Sequence, residues 1–322
     1  MHPPLSGSAS PRSSRRIEVP DVAVVIGNYQ GEHVLDACLE SLAAQTHRPA
    51  EVIVVDAGST DASAAIASRS GAAYVVTENR GLGHLYNLGA ERAAAPFVFL
   101  LNNDVALDGR CIELLAAALE ADKRRFAVDP RQLSWEGERL VHARATMRRG
   151  PFLRQLLPGF EIELTTPATG IVPTLCANGG AMMVRRDLLL DLGGFDETFF
   201  MDFEDIDLCW RAWLRGWPSV YVPDAFLRHR VGAVTRASML PRRLRSSHHN
   251  LMRFALKCLP ARDAARVVAG ELARLPAHPT LIAPALWRVA RELPEILSRR
   301  RAISPRRDFL EWALAGMPQR TT

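Results

Sequence analysis

Two acid-rich runs carry the side chains best suited to chemistry. The first is Asn102-Asn103-Asp104, reached at the end of the apolar run Phe97–Leu101. An Asp held at the end of a rigid strand suits a divalent cation, which is typically bound by one or two protein carboxylates and completes its shell with substrate phosphates and water. The second is Met201-Asp-Phe-Glu-Asp-Ile-Asp207, where Asp202, Glu204, Asp205 and Asp207 crowd the head of a helical pattern. Carboxylates there are partly stabilised by the helix dipole, and one member can serve as a proton acceptor. Phe199, Phe200 and Phe203 bracket these acids with bulk able to exclude water. Downstream, His229 in a basic stretch is a surface residue or a metal ligand. Asp56, closing the run Glu51–Val55, can cap a turn or accept hydrogen bonds from a base or ribose.

These residues need a scaffold that brings strand ends together. Val22–Ile26 is a continuous apolar run, the pattern of a strand buried on both faces, and Glu51–Val55, Ala73–Val76 and Phe97–Leu101 read as further strands. Helical spacing fills the gaps, with Val34, Leu35, Cys38, Leu39 and Leu42 on one face and a second helix opening after Asp61. Four strand–helix alternations predict an α/β protein with a doubly wound, mostly parallel sheet. Ligands of such sheets bind beyond the carboxyl ends of the strands, where Asp56 and Asp104 meet on one edge. No GxGxxG follows the first strand and no GxxxxGK[ST] occurs, which removes the main support for dinucleotide enzymes and P-loop NTPases.

Composition sets outer bounds. The 322 residues are 48% apolar and 23% charged, ordinary for a globular chain, and the net charge of +5 is too mild for a nucleic-acid binder. Five cysteines without a CxxC pair suggest neither a disulfide framework nor a zinc site, and point to a reducing, cytoplasmic home. Residues 1–20, rich in Ser, Pro and Arg, read as a disordered leader. Arg124–Thr174 shows no period and is expected to be loops, an edge strand or two and a mobile cover. Trp217–Val222 reads as a strand ending at Pro223-Asp224, and residues 236–322 form a basic helical extension. In it Arg242, Arg243, Arg245, Arg253 and Lys257 interleave with an apolar stripe. That pattern suits either an anionic membrane surface at the inner face of the cell membrane or a helix packed on the rest with a solvated basic face. The same stripes could serve a homodimer.

The ordered motifs resemble glycosyltransferase family 2, the inverting nucleotide-sugar transferases of the A-type fold. They are Asn28-Tyr-x-Gly31, Asp56-x-Gly-Ser-x-Asp61, Asn102-Asn-Asp104, Gly193-Gly-Phe-Asp-Glu-x-Phe-Phe200, Phe203-Glu-Asp-x-Asp-Leu-x-x-Arg211 and the trailing His229. The likeness spans about residues 20 to 235 and is greatest to the rhamnosyltransferase-like branch that builds surface polysaccharides. It implies a catalytic domain over 21–235 that takes a nucleoside-diphosphate sugar and a glycan or lipid-linked acceptor. The donor would lie against Asn28, Asp56, Asp61, Asn102, Asn103, Asp104 and Arg211, with Asp56 on the base or ribose. Asp104 and His229 would hold Mn2+ or Mg2+, Asp205 would be the general base, and Glu204 would orient the acceptor. Ala57, where the family often has Asn, and Gly83-His-Leu-Tyr86 depart from the pattern and bear on base contacts and donor choice. Two other readings compete: a nucleotidyltransferase, which normally has a basic Gly-rich loop that Gly27–Gly31 lacks, and an inactive sugar-nucleotide-binding scaffold.

Overall fold

A computed structural model describes residues 20–149, 160–166, 169–232, 240–303, 307–315 and 317. The leader expected over 1–20 lies almost wholly outside them. In chain order the first half comprises β1 (Val22–Asn28), α1 (Leu35–Ala43), β2 (Glu51–Asp56), α2 (Ser63–Ser70), β3 (Ala73–Val76), α3 (Leu82–Arg92), β4 (Phe97–Asn102), β5 (Val105–Leu107) and α4 (Cys111–Glu120). There follow β6 (Ala127–Ser134), β7 (Leu140–His142), β8 (Arg144–Arg149), β9 (Phe160–Thr165), β10 (Val172–Thr174), β11 (Ala181–Arg185), α5 (Arg186–Asp191), α6 (Glu204–Leu214) and β12 (Ser219–His229). Helices α7 (Leu240–Cys258), α8 (Ala261–Arg274), α9 (Pro279–Ile303) and α10 (Arg307–Leu314) close the chain.

The main sheet runs β10-β12-β6-β11-β4-β1-β2-β3. Its β3-β2-β1-β4 half is parallel, as the alternation of apolar runs and helices requires. Successive residues of β1 enter opposite layers. Ala23 and Val25 join the core under α3 and α6, and Val22, Val24 and Ile26 the core under α1, α2 and α4. Both faces are therefore apolar, which is why the strand reads as an unbroken run. Beyond β4 the sheet is mixed: β11 is antiparallel to both β4 and β6, and β6 is parallel to β12.

Three expectations are corrected here. Arg124–Thr174 holds five strands, and β6 is interior to the sheet instead of at an edge. Its polar Asp129, Gln132 and Ser134 are buried, so no apolar period exists to read. The mobile cover was expected somewhere within the same segment, of which residues 150–159 and 167–168 lie outside the described residues. Second, β12 does not end at Pro223-Asp224 but passes through it to His229, with a register shift against β6 between Val222 and Phe226. Proline cannot donate to the ladder, and a bulge accommodates it. Third, α7 does not carry all its basic residues to solvent or lipid. Arg253 and Lys257 are buried (0% and 1% exposed), because α7 packs its polar face onto the acids of the second motif region. Leu251, Phe254 and Cys258 of α7, with Phe309 and Leu310 of α10, share one core cluster with Val25 and Trp210. Among the described residues no helix is long and apolar enough to cross a membrane.

Candidate active site

Parallel pairing fixes the strand ends: Asn28 stands opposite Asp56, and Gly27 opposite Asn102. Asn28 donates through Nδ2 to Asp56 Oδ2 (2.5 Å) and accepts from Asn103 Nδ2 through Oδ1 (2.6 Å). Gly31 lies so close to these two amides that a Cβ there would collide with both. Asp56 also accepts from the Ser59 N–H and hydroxyl at 2.6 Å each, and is fully buried. Asp61 binds the Glu32 N–H at 2.9 Å and the Ser63 N–H at 3.0 Å. Both acids of this loop therefore hold loop backbone. Above them opens a cleft of about 310 Å³, whose lining includes Asn28, Tyr29, Ala57, Asn102, Asn103, Asp104, Glu204, His229 and Arg243. Gly81, at φ +101, lets the start of α3 approach the Phe200 backbone at this rim, where any Cβ would strike it.

Asp104 and His229 converge on one point. Val105 pairs with His229 across β5 and β12, setting the His229 ring beside Asp104 with Nε2 3.2 Å from Oδ1. The other ring nitrogen, Nδ1, is 2.9 Å from Gln132 Oε1. With the Nδ1 hydrogen directed at that carbonyl, Nε2 presents a lone pair to Asp104 Oδ1, which is buried and has no hydrogen-bond donor. Two facing lone pairs are unfavourable without a cation between or beside them. Their 3.2 Å spacing is close to the roughly 3.0 Å that adjacent octahedral ligands keep at about 2.1 Å from a hard cation. Among the described residues no group of three or more His, Cys, Asp and Glu converges on one point. If a cation binds here, Asp104 and His229 are the two side chains that would hold it, with substrate phosphates and water completing its shell.

The second acidic run sits across the cleft. Glu204 and Asp205 open α6, preceded by Asp202 at φ 66 and Phe203 at φ 74. Left-handed backbone at non-glycine residues costs roughly 1–2 kcal/mol per residue, so the surroundings must hold it. Helix α7 does so. Asn250 Nδ2 donates to the carbonyls of Met201 (2.7 Å) and Asp202 (2.9 Å), and Arg243 and Ser247 hold the Asp202 carboxylate. Glu204 is 7% exposed with Oε2 unpartnered. Burial first, then the neighbouring Asp205 charge, push its carboxyl above the usual range. Asp205 accepts from the Gly179 N–H (2.9 Å, Oδ2) and the Ile206 N–H (2.8 Å, Oδ1). Burial raises its carboxyl too, and those two N–H groups restrain the rise. A raised carboxyl beside a cleft is suited to accept a proton near neutrality.

Residues 23–192 match the family described as Glycosyl transferase family 2. The chain belongs to glycosyltransferase family 2. It is 31% identical over 237 residues, 66% of this chain and 75% of the relative, to the N-acetylglucosaminyl-diphospho-decaprenol L-rhamnosyltransferase of Mycobacterium tuberculosis. Two solved structures share its fold. One is GalNAc-T7 with UDP, GalNAc and Mn2+, at TM-score 0.60 and 16% identity over 76% of this chain; the match spans about half (49%) of that chain. The other is the mannosyltransferase PcManGT from Pyrobaculum calidifontis with GDP-Man and Mn2+, at TM-score 0.54 and 19% identity over 91% of this chain and 83% of that one. At such identities the likeness establishes the A-type fold alone. The protein is a rhamnosyltransferase-like glycosyltransferase with helices appended at its C-terminus.

Within this glycosyltransferase the cleft brings together Asn28, Asn102, Asn103, Asp104, His229 and Glu204; Asp205, next in the chain to Glu204, is held by the Gly179 N–H and is not among its lining residues. The cleft does not bring in Arg211. That guanidinium is bound to Asp207 (2.9 Å) and to the carbonyls of Leu192 and Gly194. Asp56 is buried against the lining residue Asn28 and Asp61 is half-buried; both are tied to loop backbone and neither lines the cleft. Ala57 does line the cleft. In the departure at 83–86, the Tyr86 hydroxyl donates to the Gly179 carbonyl (2.8 Å) and lies 3.2 Å from the Asn102 side-chain amide, while His84 bridges Thr77 and Glu197. Sequence reasoning missed Gln132, Asn178 and the Asp129–His142 pair, whose carboxylate and ring meet at 2.8 Å. The available signal was four polar residues, Asp129, Arg131, Gln132 and Ser134, in the run Ala127–Ser134 between two apolar strands.

Proposed function

We propose that this glycosyltransferase moves a sugar, rhamnose in the reading its mycobacterial relative favours, from a nucleoside-diphosphate donor onto a hydroxyl of a glycan or lipid-linked acceptor, with inversion and with a divalent cation, Mn2+ or Mg2+. The observation that carries the reading is the donor-less Asp104 Oδ1 facing His229 Nε2 at 3.2 Å on the wall of the cleft. Asp104 and His229 would hold the cation, which when bound supplies charge that stabilises the departing diphosphate. Asn28 and Asn103, locked to each other, form the wall along which the donor lies. Asp205 accepts the proton of the acceptor hydroxyl, and its two backbone N–H partners fix the carboxylate so that one oxygen lone pair stays available. Glu204 orients the acceptor through its unpartnered Oε2. One base and one displacement suffice, and inversion follows.

As part of the same reading, residues 21–235 form the catalytic domain and 236–322 its helical extension. A lipid-linked acceptor favours a place at the inner face of the cell membrane. Exposed Trp287, Leu293 and Leu297 on α9, with Arg291 over the Trp287 ring, suit such a contact better than α7 does. The test of the base is Asp205→Asn. Transfer should fall at least 10²-fold with donor affinity unchanged, and an Asn variant that transfers at the wild-type rate disproves the assignment.

A further inference from the structure

We propose that Gln132 is a positioning residue for His229, fixing which ring nitrogen faces Asp104. The inference rests on the cation reading of that pair. It follows from one backbone group whose polarity cannot be reversed. The Gly180 N–H can only donate, and it donates to the Asn178 side chain at 2.9 Å, so the atom it meets is the amide oxygen. That same oxygen lies 3.1 Å from the Gln132 amide, which must therefore turn its NH2 toward Asn178. The Gln132 carbonyl is left facing His229 Nδ1 at 2.9 Å, and a carbonyl only accepts. The hydrogen of the neutral imidazole consequently resides on Nδ1, and Nε2 is the bare nitrogen.

The sheet makes this arrangement rigid. Gln132 pairs with Leu227 across β6 and β12, and His229 lies two residues further along, on the same face. Gln132 is 1% exposed, so water does not compete for its amide. The relay reaches the other half of the site as well. Asn178 and Gly179 donate successive backbone N–H groups to Asp129 (3.2 Å) and to Asp205 (2.9 Å). One loop thereby holds both the amide that orients His229 and the carboxylate assigned as base. Partners of this kind typically change metal affinity by about 10–100-fold when removed.

The experiment is nitrogen NMR of the full chain labelled at histidine, at about pH 8.5, some two units above the ordinary histidine value of about 6.5. In the wild type His229 should carry its hydrogen on Nδ1. Gln132→Leu should shift it to Nε2 or to a mixture, Gln132→Glu should restore Nδ1, and circular dichroism should stay unchanged. Mn2+ added with UDP, dTDP or GDP should broaden the His229 Nε2 signal, at about 10–100-fold higher concentration in Gln132→Leu. A wild-type hydrogen on Nε2, or a tautomer indifferent to Gln132→Leu, overturns the proposal. Should Gln132→Leu fail to fold, the wild-type tautomer alone decides. If Mn2+ leaves wild-type His229 untouched while the tautomer is as stated, the cation reading fails and the Gln132 assignment stands.

Discussion

Lys257→Met tests whether α7 is fastened to the catalytic motifs or merely rests on them. Lys257 Nζ lies 2.6 Å from Asp196 Oδ2 and 2.6 Å from Asp207 Oδ1, and all three side chains are at most 2% exposed. Breaking a buried ion pair by deleting one partner costs about 3–5 kcal/mol, because the other charge is left uncompensated. Here Asp196 retains Arg253 at 3.1 Å and Arg299 at 3.9 Å, and Asp207 retains Arg211 at 2.9 Å. Methionine also preserves the packing of the side-chain stem. The loss should therefore sit at the low end, about 3 kcal/mol, or a fall in Tm of roughly 6–12 °C at 2–4 °C per kcal/mol. The effect has a pH signature. Burial opposes ionisation of Asp196, but Lys257 and Arg253 overcome it and hold the carboxyl well below the usual range. A depressed folded value contributes stability that is fully present above the unfolded value of about 3.9 and is lost as pH falls toward the folded one. The gap between wild type and variant, read by scanning calorimetry, should thus be widest near neutrality and narrow below about pH 4. A Tm within about 1 °C of wild type, with the same acid slope, refutes the fastening. That is the result expected of a lysine on a solvated or lipid-facing helix.

Two further outcomes follow from the acidic run. Glu204→Gln should raise Tm at pH 8 but not near pH 4: the folded carboxyl is shifted upward, so its cost to folding appears only once the unfolded chain ionises, above about 4.3. A Tm change independent of pH contradicts this. Asn250→Ala frees the two carbonyls that restrain the left-handed Asp202 and Phe203. It should cost about 1–3 kcal/mol in denaturant unfolding and lower kcat more than it raises KM; an unaltered kcat would show that α7 does not position Glu204 and Asp205.

Legibility of the sequence followed burial. Val22–Asn28, Glu51–Asp56 and Phe97–Asn102 are apolar on both faces, so the parallel half of the sheet and its acid-bearing ends could be read directly. The interior strand β6 could not, because Asp129 and Gln132 point inward to serve Asn178, His142 and His229. Residue types named Asp104, Glu204 and Asp205 as chemical groups, whereas Arg211 and Asp61 were set against the donor only by the family resemblance. Those side chains are committed to loop carbonyls and N–H groups that no spacing reveals. The basic stripe of α7 misled for a related reason. Arg253 and Lys257 look solvated until the acids they neutralise, Asp196 and Asp207 some fifty residues earlier, are folded against them.

The central claim is that Asp104 and His229 hold a cation on a nucleoside-diphosphate donor. A thermal-shift panel of UDP, dTDP and GDP, each with and without Mn2+, tests it most directly. A ligand at 100 times its Kd stabilises the native state by about 2.7 kcal/mol. One diphosphate should therefore raise Tm by roughly 5–11 °C at 2–4 °C per kcal/mol, only when Mn2+ is present, and not in Asp104→Asn or His229→Ala. No shift with any diphosphate, or an equal shift in those two variants, would contradict the account.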